Sequence, residues 1–208
     1  MTKPTKTQIA VSAVPAHLWE QGCVLAVDPS SGSANSMPAY ALADKGTVVD
    51  SGVIELPLTK RQLIQEANAF DIPPEFLAQY THTGTVPLQI RLYLLREKLH
   101  ALTLRPDILC LESIPPFMES RGGGGFRNNG VVHLHQSVGT IISAYPWANQ
   151  VPVAIPSHQA LMKKLTNGCY LKSDENDALS IITCAFRQAG FPLKNEQQVI
   201  DVVTGRKE

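Results

Sequence analysis

Strand-like segments rich in apolar residues, separated by polar turns, predict a three-stranded meander in the first quarter of the chain. The strands are expected at residues 23–27, 39–43 and 47–56. Pro, Ser, Gly and Asn fill the first connection, and Asp44-Lys45-Gly46 forms the second. Both are typical turn compositions, so the three strands are expected to be antiparallel neighbours.

Two helices are predicted after the meander. Thr59 can cap a helix that runs to about Phe70, and Pro73-Pro74 then stops it because proline removes a backbone donor. Residues 71–85 are expected to form a loop or short helix. A second, amphipathic helix begins after Pro87 and ends before Arg105-Pro106, and its apolar positions are Leu88, Leu92, Leu95, Leu99 and Leu102.

The second half alternates strands and helices. An uninterrupted apolar run at 108–111 suits a parallel strand buried on both faces, and a further strand is predicted at 151–155. Helices are predicted at 130–145, from a Ser157 cap to about 167, and from a Ser173 cap to about 188. A meander followed by such units predicts an α/β fold, with a mixed five-stranded sheet and helices on both faces.

Composition narrows the class of protein. The 208 residues fit one compact domain, and 18 basic against 18 acidic side chains give no net charge, so any nucleic-acid surface must be local. The four cysteines lack CxxC spacing and are interpreted as reduced core residues. A faint resemblance to a secretory signal before Pro15 is interrupted by Pro15 and Trp19, and no apolar run reaches the length of a membrane span. We therefore expect a cytoplasmic protein without a membrane partner.

Four acidic residues stand where apolar segments meet polar ones. Asp28 and Glu112 each end a strand-like run, and Asp174 and Asp177 open the last long helix with the i, i+3 spacing that puts both on one helix face. Converging carboxylates repel one another unless a cation binds, so such a cluster suits Mg²⁺ and metal-assisted phosphoryl transfer. Each acid also has a structural interpretation: Asp28-Pro29 can begin a turn, and the helix dipole favours Asp174 and Asp177. Glu112 directly after a buried strand is costly unless it is partnered.

In these segments the chain resembles the RuvC-type Holliday junction resolvases. The run from Val24 to Pro29, followed by Ser31-Gly32, is similar to their opening strand. Leu109-Cys110-Leu111-Glu112-Ser113 is similar to their glutamate strand, and the run from Ser173 to Leu179 is similar to their closing DxxDAL helix. The resemblance spans residues 22–190, with residues 1–21 as an N-terminal extension and 191–208 as a C-terminal tail.

This resemblance implies an RNase H-like nuclease domain that acts on branched DNA as a homodimer. Asp28, Glu112, Asp174 and Asp177 would be the catalytic acids and would hold two Mg²⁺ or Mn²⁺ ions, which cleave a phosphodiester by a two-metal mechanism. The chain departs from the family at Ser30, where a glycine is usual, and in the longer segment before Glu112. Such divergence would fit a variant carried by a phage or other mobile element.

Candidate DNA contacts lie near the acids in sequence. Arg121 and Arg127 flank a run of four glycines and can pair with phosphates, while Phe117 or Phe126 can stack on an unpaired base. The other interpretation of this loop is an ordinary surface loop. Lys163 and Lys164 match the place where the family presents lysines to DNA, and His158 is a candidate phosphate contact.

Two other functions remain open from the sequence. Residues 28–33 could form the phosphate loop of an actin-like ATPase, although that superfamily needs a second subdomain that 208 residues do not supply. A junction-binding or assembly protein could retain the fold without cleaving, although the presence of all four acids argues against loss of activity.

Overall fold

A computed structural model describes residues 11, 13–30, 37–67, 69, 70, 72, 74, 77, 86–102, 105–113 and 129–206. Five strands in these residues form one sheet, and helices lie around it. The strands are β1 Cys23–Asp28, β2 Ala39–Asp44, β3 Thr47–Val53, β4 Ile108–Ser113 and β5 Asn149–Ala154. The helices are α1 Ala16–Gln21, α2 Lys60–Ala67, α3 Leu88–Ala101, α4 Asn129–Ala144, α5 Ile155–Leu165, α6 Asp174–Ala189 and α7 Glu196–Thr204.

The sheet has the strand order β3-β2-β1-β4-β5. β1 pairs antiparallel with β2, and β2 pairs antiparallel with β3, as the meander predicts. β4 lies parallel to β1 on one side and to β5 on the other. The predicted α/β class with a mixed five-stranded sheet is therefore confirmed.

Alternate residues of β1, β2 and β4 enter two different hydrophobic cores, because successive side chains of a strand point to opposite faces. Val24 and Ala26 of β1 pack with α6 and α7 in one core, whereas Leu25 and Val27 pack with α3 and α4 in the other. Helices thus cover both faces of the sheet, as predicted. We call the two sides the α6 face and the α3 face.

Several predicted boundaries are confirmed and others shift. Thr59 Oγ1 accepts a hydrogen bond from Gln62 N at 3.3 Å, as expected of a cap, but the helix that follows ends at Ala67. β3 ends at Val53 rather than at residue 56. α5 begins at Ile155, directly after β5, so the cap is Ala154 rather than Ser157. Pro156 fits this first turn because its missing N–H would have no partner within the helix there.

The terminal segments contribute to the core of the domain. Trp19 of α1 is buried and its ring lies 5.3 Å from that of Phe186 in an edge-on arrangement. In the segment interpreted as a tail, α7 buries Val199 and Val203 on the α6 face. Neither α1 nor α7 is predicted from the sequence, since each helix is short and its burial depends on α6.

Two further observations concern the cysteines and the helices. The four cysteines are free. Cys110 and Cys184 are buried, as expected of small core residues, whereas Cys23 is partly exposed and Cys169 is exposed, so the expectation is wrong for Cys169. In the part of the chain that the structure describes, no helix has both the length and the apolar character needed to cross a membrane.

Candidate functional site

The register of the sheet places Asp28 beside Glu112. β1 and β4 run parallel with Val27 opposite Leu111, so the next residue of each strand is an acid at the same rim of the sheet. Asp28 and Glu112 point to the same side of the sheet as Ala26 and Cys110, because side chains two residues apart in a strand lie on one side. Ala26 and Cys110 belong to the core of the α6 face. Both carboxylates therefore project toward the face that α6 covers.

The first turn of α6 brings two more acids to this rim. Ser173 caps the helix by accepting a hydrogen bond from Asn176 N at 3.2 Å, as predicted. Asp174 Oδ2 accepts a hydrogen bond from Met37 N at 2.9 Å. Met37 lies two residues before Ala39, the first residue of β2, and Ala39 is paired with Asp28. Asp177, one turn further along, is only 8% exposed. The start of α6 is thus tied to the end of β1.

The electrostatics of Asp28 reflect the three other acids around this rim. Burial raises the pKa of Asp28 to about 8, and the negative charges of Glu112, Asp177 and Asp174 contribute in the same direction. Lys172 opposes them. The carboxyl of Asp28 therefore lies where its ionised form is disfavoured by both desolvation and like charge. The structure brings all four sequence-predicted acids to one rim of the sheet.

Asp177 is held by a tyrosine. Tyr170 donates its hydroxyl to Asp177 Oδ1 at 2.5 Å, and burial and this carboxylate raise the pKa of Tyr170, so the hydroxyl stays a donor. Burial also raises the pKa of Asp177, while the hydrogen bond from Tyr170 and the nearby His158 work against that increase. Tyr170 therefore fixes one carboxylate oxygen and favours its ionised form.

Glu112 is held by a buried histidine. His158 Nε2 lies 3.0 Å from Glu112 Oε1, and His158 Nδ1 lies 2.6 Å from Ser180 Oγ. Both His158 and Ser180 are fully buried. The buried polar groups of this region are thus hydrogen-bonded in a continuous chain, which is the condition for burying them at moderate cost.

The chemistry of the four carboxylates suits a hard divalent cation. Within the described residues, histidine, cysteine, aspartate and glutamate side chains form no group of three or more that could already hold a metal ion. Each of Glu112, Asp174 and Asp177 accepts a hydrogen bond from its own donor. Carboxylate oxygens are the ligands that Mg²⁺ and Mn²⁺ prefer, so these residues fit such ions.

The predicted DNA contacts have different outcomes. Arg121, Arg127, Phe117 and Phe126, together with the glycine run, lie outside the described residues. Lys163 and Lys164 are exposed in the last turn of α5, where they are accessible to a partner. His158 has no exposed surface and both ring nitrogens have partners within the protein, so its position does not support the predicted phosphate contact.

Sequence reasoning missed two residues of this site, Tyr170 and Ser180. Tyr170 precedes the α6 cap in a segment with no periodic pattern, so nothing in the sequence singles it out. Ser180 gives a weak signal, because it is a polar residue inside the otherwise apolar run 178–182. A polar side chain in such a position needs a buried partner.

Comparison with known proteins supports the fold. No protein-family model matches the sequence, and no curated protein matches it. Among solved structures, the chain is similar to T. thermophilus RuvC in complex with a Holliday junction substrate, with a TM-score of 0.50 and 10% sequence identity. The similarity covers 82% of this chain and 98% of that one. At this identity the likeness shows the fold alone, which is RNase H-like and RuvC-like.

Proposed function

We propose that this protein is a divalent-cation-dependent endonuclease that cleaves branched DNA such as four-way junctions. The observation that carries the proposal is the meeting of Asp28, Glu112, Asp174 and Asp177 at one rim of an RNase H-like sheet. These acids come from two strands and a helix that are far apart in sequence. Concentrating acidic side chains there is costly for folding, and a cation-binding function explains it.

The four carboxylates would hold two Mg²⁺ or Mn²⁺ ions. When bound, such ions supply Lewis-acid chemistry, activating a water molecule and stabilising the leaving oxygen of a phosphodiester. The protein contributes the positions of the carboxylates. Tyr170 and His158 hold Asp177 and Glu112 by hydrogen bonds, and Ser173 fixes the helix that carries Asp174 and Asp177.

The DNA would be held by basic and aromatic residues around this rim. Lys163 and Lys164 present exposed ammonium groups on α5, the helix that follows β5. The fold of T. thermophilus RuvC, whose solved structure contains a Holliday junction substrate, supports branched DNA as the class of ligand. We extend the proposal to the sequence-based candidates Arg121, Arg127, Phe117 and Phe126, and to a homodimer that binds both sides of a junction.

The direct test uses purified protein, a labelled four-way junction and a linear duplex of the same arm sequences. We expect Mg²⁺-dependent nicking of the junction, little cleavage of the duplex, and no cleavage in EDTA. Cleavage of both substrates at equal rates would contradict selectivity for branched DNA. Tight junction binding without any cleavage in Mg²⁺ or Mn²⁺ would replace the proposal with a non-cleaving junction-binding protein.

A further inference from the structure

A buried polar chain connects two of the proposed metal ligands from inside the domain. It begins at Glu112 Oε1, passes through both ring nitrogens of His158 on α5, and reaches Ser180 Oγ on α6. Ser180 Oγ also lies 2.7 Å from the main-chain oxygen of Asp177. The chain therefore joins β4, α5 and α6, the three elements whose relative positions decide where Glu112 and Asp177 stand.

Ser180 Oγ holds the inner end of this chain. It lies 2.6 Å from His158 Nδ1 and donates to the Asp177 carbonyl at 2.7 Å. At the outer end, His158 Nε2 is the donor to Glu112 Oε1, because a carboxylate oxygen only accepts. The ring is therefore held at both nitrogens, by α6 on one side and by β4 on the other.

We propose that His158 is a positioning residue that fixes the Glu112 carboxylate for cation binding, with Ser180 holding the orientation of its ring. The inference rests on the proposed function, because it assigns a role to a residue beneath the same site. A glutamate side chain has three rotatable bonds, and a hydrogen bond to a fully buried ring removes much of that freedom before any ion arrives. Groups that orient metal ligands in this way commonly change metal affinity when they are replaced.

The test compares two replacements of His158 in the full chain. His158→Gln keeps an N–H donor at a similar reach, whereas His158→Leu keeps the bulk without the donor. Binding of Mn²⁺ alone, without DNA, is measured from the electron paramagnetic resonance signal of the free ion. We expect His158→Leu to weaken Mn²⁺ binding by about 10-fold or more, and His158→Gln to restore most of that loss.

A matched pair on α6 tests the contribution of Ser180. Ser180→Ala removes the hydroxyl that contacts His158, while Thr183→Val removes a fully buried hydroxyl one turn further along that donates only to Leu179 O in its own helix, at 2.7 Å. We expect Ser180→Ala to weaken Mn²⁺ binding by several-fold and Thr183→Val to leave it unchanged. Equal effects of the two substitutions would mean that any loss comes from disturbed packing of the helix.

The outcomes separate this inference from the proposed function. Wild-type protein that binds Mn²⁺ and cuts junctions, with a folded His158→Leu variant that binds Mn²⁺ equally well, would overturn the role of His158 alone. Wild-type protein with no Mn²⁺ site would overturn both. Thermal unfolding by circular dichroism shows which variants fold, and if His158→Leu does not fold, the comparison of Ser180→Ala with Thr183→Val decides the question.

Discussion

At the scale of single residues, the main feature of the site is a carboxyl group whose ionised form the surrounding protein disfavours. Asp28 is the clearest case, because burial and three neighbouring acids all disfavour its ionised form. Lys172 opposes them only in part. A divalent cation would remove this penalty, so the same residue should behave differently in the metal-free and metal-bound protein.

Replacing a single acid should separate catalysis from DNA binding. Asp28→Asn or Glu112→Gln is expected to lower junction cleavage by at least about 100-fold, because an amide is a poor ligand for Mg²⁺. Junction affinity should be kept or improved, since one source of repulsion toward phosphate is removed. Single-turnover cleavage and gel-shift titrations measure the two effects. Asp50→Asn, an exposed acid on β3, is the matched control and should leave both unchanged.

Asp28 should also make the metal-free protein less stable as pH rises. Its pKa is about 8 when folded, against an ordinary value of 3.8, so between these limits the folded state keeps a proton that the unfolded state has lost. Stability contributed in this way is complete below about pH 4 and is lost as pH rises through about 8.

The corresponding experiment follows thermal unfolding in EDTA. Asp28→Asn cannot ionise, so its free energy of unfolding should exceed that of the wild type near pH 8 by about 1–3 kcal/mol, with the gap narrowing as pH falls and closing below about pH 4. Adding Mg²⁺ at pH 8 should stabilise the wild type more than the variant. A gap that stays constant with pH would show that Asp28 does not titrate in this range.

At the scale of helices and strands, the features that depend on local sequence could be predicted. The cap at Ser173 and the i, i+3 spacing of Asp174 and Asp177 are local, and the structure contains both. The mixed sheet was predicted from periodicity and element order. The burial of His158 was not predictable, because it depends on where α5 begins and on how α5 packs against α6, which are tertiary effects.

The cap of α6 offers a test at this scale. Ser173→Ala should destabilise the protein by about 1 kcal/mol, since the Asn176 N–H loses its side-chain acceptor. Because α6 carries Asp174 and Asp177, the variant should also require a higher Mg²⁺ concentration for half-maximal cleavage. Urea denaturation and a Mg²⁺ titration measure the two effects. Ser173→Asn retains a capping group and should restore both, and a stability loss without a Mg²⁺ shift would separate the cap from the site.

At the scale of the whole molecule, the balance of charge makes any DNA surface local. The chain carries 18 basic and 18 acidic side chains, so attraction to DNA cannot arise from net charge. Lys163 and Lys164 form an exposed basic pair on α5. Lys60 and Arg61 form another exposed basic pair on α2, which belongs to the α3 face.

The two pairs provide a matched comparison for DNA binding. Replacing both Lys163 and Lys164 by Ala should weaken junction binding and reduce the slope of log affinity against log salt by about 1 for each phosphate that a lysine no longer neutralises. Replacing both Lys60 and Arg61 by Ala removes the same charge and should leave the slope unchanged. Fluorescence anisotropy titrations over a range of salt concentrations measure both. Equal slopes for the two double variants would remove the α5 lysines from the interface.

The proposed homodimer is tested independently of DNA. Sedimentation equilibrium should give a mass of twice the 22.6 kDa of one chain, and junction binding should saturate at two chains per junction. A monomer at all concentrations, with a stoichiometry of one, would contradict this part of the proposal.

The order in which the acids occur along the polypeptide has a consequence for synthesis. Asp28 and Glu112 meet only after β4 has paired with β1, and the remaining two acids lie on α6, whose last residue is Ala189. Pairings between such distant segments form late and slowly compared with local ones. A ribosome-bound chain that has not yet exposed α6 therefore lacks two of the four acids of the site. If the proposed cleavage needs all four, such a chain would not cut the DNA around it while it is being made.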